Sequence, residues 1–406
     1  MTLNIAMLFE LGPDDSGSIG GGVELHAYSI SKELVKLGHK VTYFTGAIPN
    51  CREKISIEGV NYKRLDFLSL IKRSYNPQQL NFTRQLFFLL KTKLTQKNKI
   101  LENEKYDIIH GHVYSAGLTA LSLGKVRQSK VINTIHGSYY KYWKQLVKNP
   151  LTVLFYRQME KRLAPYLAKR CHYQIHTDYD FAETVKNWCN VKAKAKINTV
   201  LNGVDTDIFS PNIKPNLLLK EEEGPIVMTT RRLVVKNGVL YLVKAFKKVV
   251  EKFPKAKLII IGDGPEKARI TKEINELGIV KNVHFIGMVA NKEVPAYLAV
   301  ADIVVVPSIV EASSISVLEA MAMNKPVVAS DIPGIREITN NGKNCVLVPA
   351  KENEGIADAI LNLLKSEQKA EELASLGYEE IKQNYTWEKK AKEIEQIYYK
   401  TLEKKK

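Results

Sequence analysis

The sequence predicts two doubly wound α/β domains, each built on a parallel sheet. Three observations predict it. The chain has 406 residues, too long for one ordinary core and suited to two domains of roughly 200 residues. Short continuous runs of Val, Ile and Leu alternate with amphipathic segments of helix length from end to end. Continuous apolar strands with helices between them mean parallel sheets covered on both faces. Near the middle, LNGVDTDIFSPNIKPN at residues 201–216 has the Asn, Gly, Asp and Pro of a linker.

The elements follow in order. LNIAMLF reads as a first buried strand. It has no charged start and meets Asp14 and Asp15 early, unlike a secretory leader. Gly20–Gly22 follow, then the helical VELHAYSISKELVKLGHK and the strand VTYFT. YDIIHGH and KVINTIHG are strand ends that carry histidines. In the second half, PIVMTTR, KLIIIGDG, VHFIG, DIVVVPS, KPVVASD and NCVLVPA read as strands, and GVLYLVKAFKKVVEKF has helical period. The expected boundaries are 1–203 and 204–386, with a charged amphipathic helix at 387–406 packing back on the first domain.

Apolar content is 45% and charged content 25%, the values of a globular protein rather than a disordered one. No apolar run reaches the roughly 18 residues of a membrane span. Cys51, Cys171, Cys189 and Cys345 form no CxxC pair, which argues against structural zinc and a disulfide framework. A reducing, cytoplasmic location is expected. The net charge is +17, and its distribution is uneven. Residues 1–200 carry 30 Lys and Arg against 15 Asp and Glu, while residues 201–406 carry 30 against 28. The first half is therefore expected to meet an anionic partner. Residues 63–105 and 141–170 hold most of the excess, interleaved with Phe, Trp, Tyr and Leu. That mixture suits the anionic inner face of a membrane, approached peripherally. The other readings are a solvated basic face over an ordinary core, or a nucleic-acid-binding protein. No nucleic-acid module pattern supports the last, so no nucleic-acid partner is expected.

The stretch EASSISVLEAMAMNKPVVASD, residues 311–331, carries the chemistry. In an open parallel sheet, ligands bind at the carboxyl ends of the strands, and this stretch follows the strand DIVVVPS. A helix starts near Ser313 or Ser314, both good N-caps, and its free N–H groups favour an anion such as phosphate. Glu311 precedes the helix start, and Glu319 lies about one and a half turns inside. A carboxylate on each side of a phosphate-binding helix start fits a nucleotide-sugar, with hydroxyls on either side of a diphosphate. The alternative is a solvated loop charge and an exposed helix residue.

PSIVEASSISVLEAMAMNKPVVASDIPGIREI resembles the E-x7-E region of the retaining family 4 glycosyltransferases. GGVELHAYSISKELVKLGHKVTYFTG, DIIHGH, NTIHG, LNGVDTDIF, RRLVVKNGVLYLVKAF, IIIGDGP and VHFIGMV resemble the family's other segments, in its order and over nearly the whole chain. The resemblance implies a GT-B fold: two Rossmann-like domains facing a cleft, the first on the acceptor side, the second holding the nucleotide-sugar donor. It implies retaining transfer of a hexose-type sugar by a same-face substitution, with UDP the commoner donor base. The acceptor would be a glycan, a lipid-linked molecule or a small molecule. A sugar-nucleotide epimerase of the same architecture is the alternative.

The resemblance also implies roles. Glu311 would contact the donor sugar and Glu319 the ribose, with the backbone at Ser314 and Ile315 on the diphosphate. The family has glycines after its first Glu where this chain has Ala312, Ser313 and Ser314. An Arg and a Lys would neutralise the leaving diphosphate. Arg232 with Lys236 is the chosen pair. Aligned that way, Asn237 occupies the family's Lys position; Arg231 would restore the five-residue spacing to Lys236 but shift the glycine. Gly21 and Gly22 would let the backbone approach a phosphate; a flexible turn is the plainer reading. His112 and His136 would reach the reaction centre, unless they are structural, and His110 ranks below them. The pairs Asp178–Asp180 and Asp205–Asp207 are read as structural. No metal and no cofactor beyond the nucleotide-sugar co-substrate are expected.

Overall fold

The computed structural model describes residues 1–65, 104–216 and 224–403. Most of the basic stretch 63–105 lies outside these residues. The chain divides into two compact units. Unit 1 is Met1–Leu201 with Trp387–Lys406, and unit 2 is Asn202–Thr386. The division thus falls two residues before the expected boundary, and the terminal helical segment belongs to unit 1.

The described residues of unit 1 form an eight-stranded sheet: β1 (Asn4–Leu8), β2 (Lys40–Gly46), β3 (Lys54–Ile57), β4 (Val60–Leu65), β5 (Ile108–His112), β6 (Lys130–Ile135), β7 (Tyr173–His176) and β8 (Ile197–Thr199). The spatial order is β3-β4-β2-β1-β5-β6-β7-β8. All neighbours are parallel except the antiparallel pair β3 and β4. That hairpin turns at Glu58 and Gly59, both at positive φ, as a two-residue hairpin turn requires. It is absent from the sequence expectations because KISIEGVNYKRL alternates polar and apolar residues at a sheet edge. Ala6, Leu8, Ile109, Val131 and Ile135 of the sheet pack with Leu167, Phe181 and Val185 of the covering helices.

The order reverses beside β1, which has β2 on one side and β5 on the other. The segments after β1 and β5 therefore emerge at a topological switch point, where such sheets leave a crevice. The helix Trp387–Glu403 packs on the helix Gly22–Lys36. Polar contacts fix its register: His39 Nε2 to Glu395 Oε1 at 2.9 Å, and His110 Nδ1 to the Tyr398 hydroxyl at 2.7 Å.

Unit 2 is a six-stranded parallel sheet: β9 (Ile226–Thr230), β10 (Lys257–Ile261), β11 (Val283–Gly287), β12 (Ile303–Val306), β13 (Val327–Ser330) and β14 (Val346–Val348). Its order is β11-β10-β9-β12-β13-β14. Val227, Leu258, Ile260 and Val305 pack against Leu242, Val243 and Phe246 of the helix Val239–Lys252 and Ile360 of the helix Asn353–Lys365. Here the switch point lies between β9 and β12.

Candidate functional site

The segments that leave β9 and β12 meet at that switch point. Arg231 is buried between them. Its Nη2 donates to Asn237 Oδ1 at 2.8 Å, to Ser308 Oγ at 2.9 Å and to Glu311 Oε2. Its Nη1 donates to Ser316 Oγ at 3.3 Å. Lys236 Nζ stands 3.8 Å from Glu311 Oε1. Gly238 makes this approach feasible. Its φ is +67°, and a Cβ there would stand 1.9 Å from the Pro307 carbonyl oxygen. With no side chain, the turn lies against the end of β12, and Ile309 N donates to Lys236 O at 2.8 Å. From the other side, the Asn202 backbone N–H donates to Ser313 Oγ at 2.8 Å and its amide to Ser313 O at 2.7 Å.

The chosen Arg232 is exposed, and Arg231 is the guanidinium at Glu311. The strand geometry gives the reason. Arg231 N donates to Ile261 O at 2.9 Å, the bond that closes the last β9–β10 pair, Thr230 with Ile261, so Arg231 directly follows the paired strand. Successive side chains along a strand face opposite sides, which sends Arg231 inward and Arg232 outward. Asn237, in the family's Lys position under the Arg232 alignment, braces the turn by also donating to Arg232 O at 2.8 Å.

The helix Ile315–Ala322 begins at Ser314, whose side chain makes no capping bond. Ser314 Oγ and Arg231 Nε are both buried without a hydrogen-bond partner among the described residues. A helix start favours an anion, and unpartnered buried polar groups call for an explanation. Burial pushes the Glu311 carboxyl up, but Lys236 and Arg231 outweigh it and hold it below its ordinary value. Glu319 is 6% exposed and accepts from Asn291 Nδ2 at 3.2 Å. Burial pushes its carboxyl up to about 7. Neither glutamate is a solvated surface charge.

In unit 1, Gly21 caps the helix that Gly22 begins. Gly21 has φ −164°, and a Cβ there would meet nothing within 4 Å. The fold does not demand glycine at that position. Gly20 N donates to Glu24 Oε2 at 3.0 Å. His112 ends β5, and its ring stacks on His110 and on His136. His112 Nδ1 and His136 Nε2 are 2.9 Å apart. Burial pulls both well below the ordinary histidine value, so they are neutral. His110 is held by Tyr398 and by Thr134 Oγ1 at 2.7 Å, a structural role. Val113 follows His112 at φ +63°, a conformation that costs a β-branched residue on the order of 1–3 kcal/mol.

Ligand-capable atoms of His26, His112 and His136 lie within 4.8 Å of one another. Neutral imidazoles are the metal-binding form. The 2.9 Å between His112 and His136 is shorter than the ~3.3 Å between two nitrogens on one tetrahedral zinc. In this arrangement the two rings are hydrogen-bonded to each other. Of the aspartates, Asp178 caps the helix Tyr179–Trp188 and Asp180 pairs with Lys141 at 2.6 Å. Asp205 accepts from Asp207 N at 3.0 Å within its turn.

Comparison with known proteins shows the family. Residues 20–208 match the family described as Glycosyltransferase Family 4, and residues 212–380 match Glycosyl transferases group 1. The chain belongs to family 4 of the glycosyltransferases. An uncharacterised glycosyltransferase of Methanocaldococcus jannaschii is 26% identical over 94% of each chain. The N-acetyl-α-D-glucosaminyl L-malate synthase of Bacillus anthracis is 25% identical over 94% of each. Among solved structures, the sucrose-phosphate synthase of Thermosynechococcus elongatus superposes with a TM-score of 0.83 at 22% identity, covering 99% of both chains. The two parallel-sheet units of this transferase are those of the GT-B fold. No helix among its described residues is long and apolar enough to cross a membrane.

Glu319 gives the transferase a testable pH signature. Its folded pKa, about 7, lies above the ordinary glutamate value near 4.3. The folded state therefore keeps a proton that the unfolded state loses, and stability falls as pH rises between the two values. Glu319→Gln removes that penalty and can still accept from Asn291. The variant matches the parent at pH 4.5 and gains on the order of 3 kcal/mol by pH 8. Urea unfolding followed by circular dichroism at both pH values measures it. A variant less stable than the parent at pH 8 contradicts the assignment.

Proposed function

We propose that the transferase moves a hexose-type sugar from a nucleotide-diphosphate sugar, UDP being the nucleotide, to an acceptor hydroxyl with retention of configuration. The observation that carries this reading is the Arg231–Glu311–Lys236 knot beside the uncapped start of the Ile315–Ala322 helix. Arg231 and Lys236 stabilise the charge that develops on the departing diphosphate. The backbone at Ser314 and Ile315 holds the diphosphate, and Glu311 accepts from sugar hydroxyls. Glu319 accepts from the ribose. Gly21 and Gly22 give the backbone of unit 1 close access to the donor. Unit 1 supplies His112 and His136, neutral at working pH, as hydrogen-bonding groups for the transferred sugar. With two fixed cations on the diphosphate, the reaction runs without a metal.

The acceptor is a small molecule, a glycan or a lipid-linked molecule. The Bacillus anthracis relative is named for the L-malate it glycosylates, and L-malate is a small molecule. The helix Pro150–Arg170 favours a membrane surface. Leu151, Leu154 and Phe155 are exposed on it, beside exposed Lys161, Arg162, Lys169 and Arg170. Apolar side chains on a basic helix suit an anionic bilayer, and each cation near its surface adds about 1 kcal/mol. The transferase then works in the cytoplasm, peripherally at the inner face of the membrane.

Two measurements check these readings. A thermal-shift series with UDP-, GDP- and ADP-glucose in EDTA is expected to show a rise with UDP-glucose alone, lost in Glu319→Ala. A rise that needs a divalent ion, or that persists in the variant, contradicts the donor site. In vesicle sedimentation, phosphatidylglycerol is expected to carry the protein down and phosphatidylcholine is not. Leu154→Glu with Phe155→Glu should weaken binding about tenfold or more; unchanged binding removes this helix from the membrane.

A further inference from the structure

β5 runs straight into the helix Val113–Arg127, with no loop between them. The junction is crowded. A Cβ on Gly111 would stand 2.5 Å from the Ala116 carbonyl oxygen, and one on Gly117 would stand 2.5 Å from Asn133 Nδ2. Turning that sharply puts Val113 at φ +63°, where β-branched residues are rarely found. The turn persists only if its surroundings hold it.

Asn133 is the group that holds it. It lies on β6, directly opposite Gly111 in the register, and is fully buried. Its Nδ2 donates to Gly111 O at 2.8 Å and to Val113 O at 2.9 Å. A side-chain amide nitrogen has two donors, and both are spent on the carbonyls that flank His112. The His112 backbone is thereby fixed on either side. Its ring then stands between His110 and His136, within hydrogen-bonding distance of His136 Nε2.

We propose that Asn133 is a positioning residue for the transferase reaction, clamping the strained His112–Val113 turn so that the His112 imidazole is held against His136. The part of this that concerns turnover rests on the function proposed above; the part that concerns ring placement does not. Two carbonyls held by one buried amide leave the imidazole little freedom about its backbone. Loss of the clamp lets Val113 relax toward negative φ and swings the ring away.

The test uses the full chain in four forms: parent, Asn133→Ala, Val113→Gly, and the double variant. Nitrogen-15 labelling of the eight histidines reports the shared ring N–H of His112 and His136 directly. Trp143, Trp188 and Trp387 all belong to unit 1, so tryptophan fluorescence reports whether that unit is folded. UDP-glucose hydrolysis without acceptor reports turnover. The shared N–H signal is expected in the parent and lost in Asn133→Ala. Hydrolysis kcat should then fall about tenfold or more with KM within a factor of about two. Glycine adopts φ +63° without strain, so Val113→Gly should restore both signal and kcat in the Asn133→Ala background.

An Asn133→Ala protein that keeps the signal and the rate overturns the proposal. So does a folded double variant that lacks the signal, which decides the matter even where Asn133→Ala alone does not fold. A parent that shows the ring signal but hydrolyses no UDP-glucose removes the turnover claim and indicts the donor assignment, leaving the clamp to be judged on the ring signal.

Discussion

Arg231 is a cation taken out of water, and the second unit's site is arranged around that fact. A buried guanidinium is tolerated only when a carboxylate and further acceptors answer it, since desolvation costs several kcal/mol per ion. Glu311 supplies the charge, and Ser308, Asn237 and Ser316 accept from the two terminal nitrogens, while Nε has no partner among the described residues. Satisfying one side chain thus draws together the segments after β9 and β12. The close approach of Gly238 to Pro307 is the steric counterpart of that electrostatic demand. Lys236 adds a second positive charge to the one carboxylate, so the knot keeps a net positive balance beside a helix start. An anion would complete it.

The two units solve different problems at equivalent places. Each sheet has a switch point at its first strand, β1 or β9, and each presents polar side chains there. Unit 2 offers fixed charge: two cations, a depressed carboxyl at Glu311 and a raised one at Glu319. Unit 1 offers neutral imidazoles, since burial holds His110, His112 and His136 below their ordinary range. Charged groups suit a diphosphate, and neutral hydrogen-bonding groups suit sugar hydroxyls. The strain at Val113 lies on the neutral side, where direction rather than charge decides what a ring can do.

Much of this was legible in the residues. Parallel strands buried on both faces are runs of Val and Ile, and β10, β12 and β13 stand out for that reason. The hairpin β3–β4 does not, because an edge pair with one wet face has no such run. The two glutamates were legible from the strand end and the small residues that precede the helix. Between the two arginines the sequence left a choice: Arg231 keeps the five-residue spacing to Lys236 and Arg232 the spacing to the glycine, and only the folded strand end shows which side chain faces inward. Asn202, Asn291 and Asn133 left no trace in the sequence: each acts on a partner 20 to 111 residues away, through contacts that exist only once the sheets are assembled.

The central claim is that Arg231 and its knot bind the diphosphate of a nucleotide-sugar. Phosphorus-31 spectra of UDP titrated with the protein in EDTA test it most directly, read beside Arg231→Met. The account predicts that both phosphate resonances shift and broaden with the parent, and that the perturbation is lost with the folded variant. Phosphate resonances unmoved by the parent, or moved equally by both proteins, would contradict it.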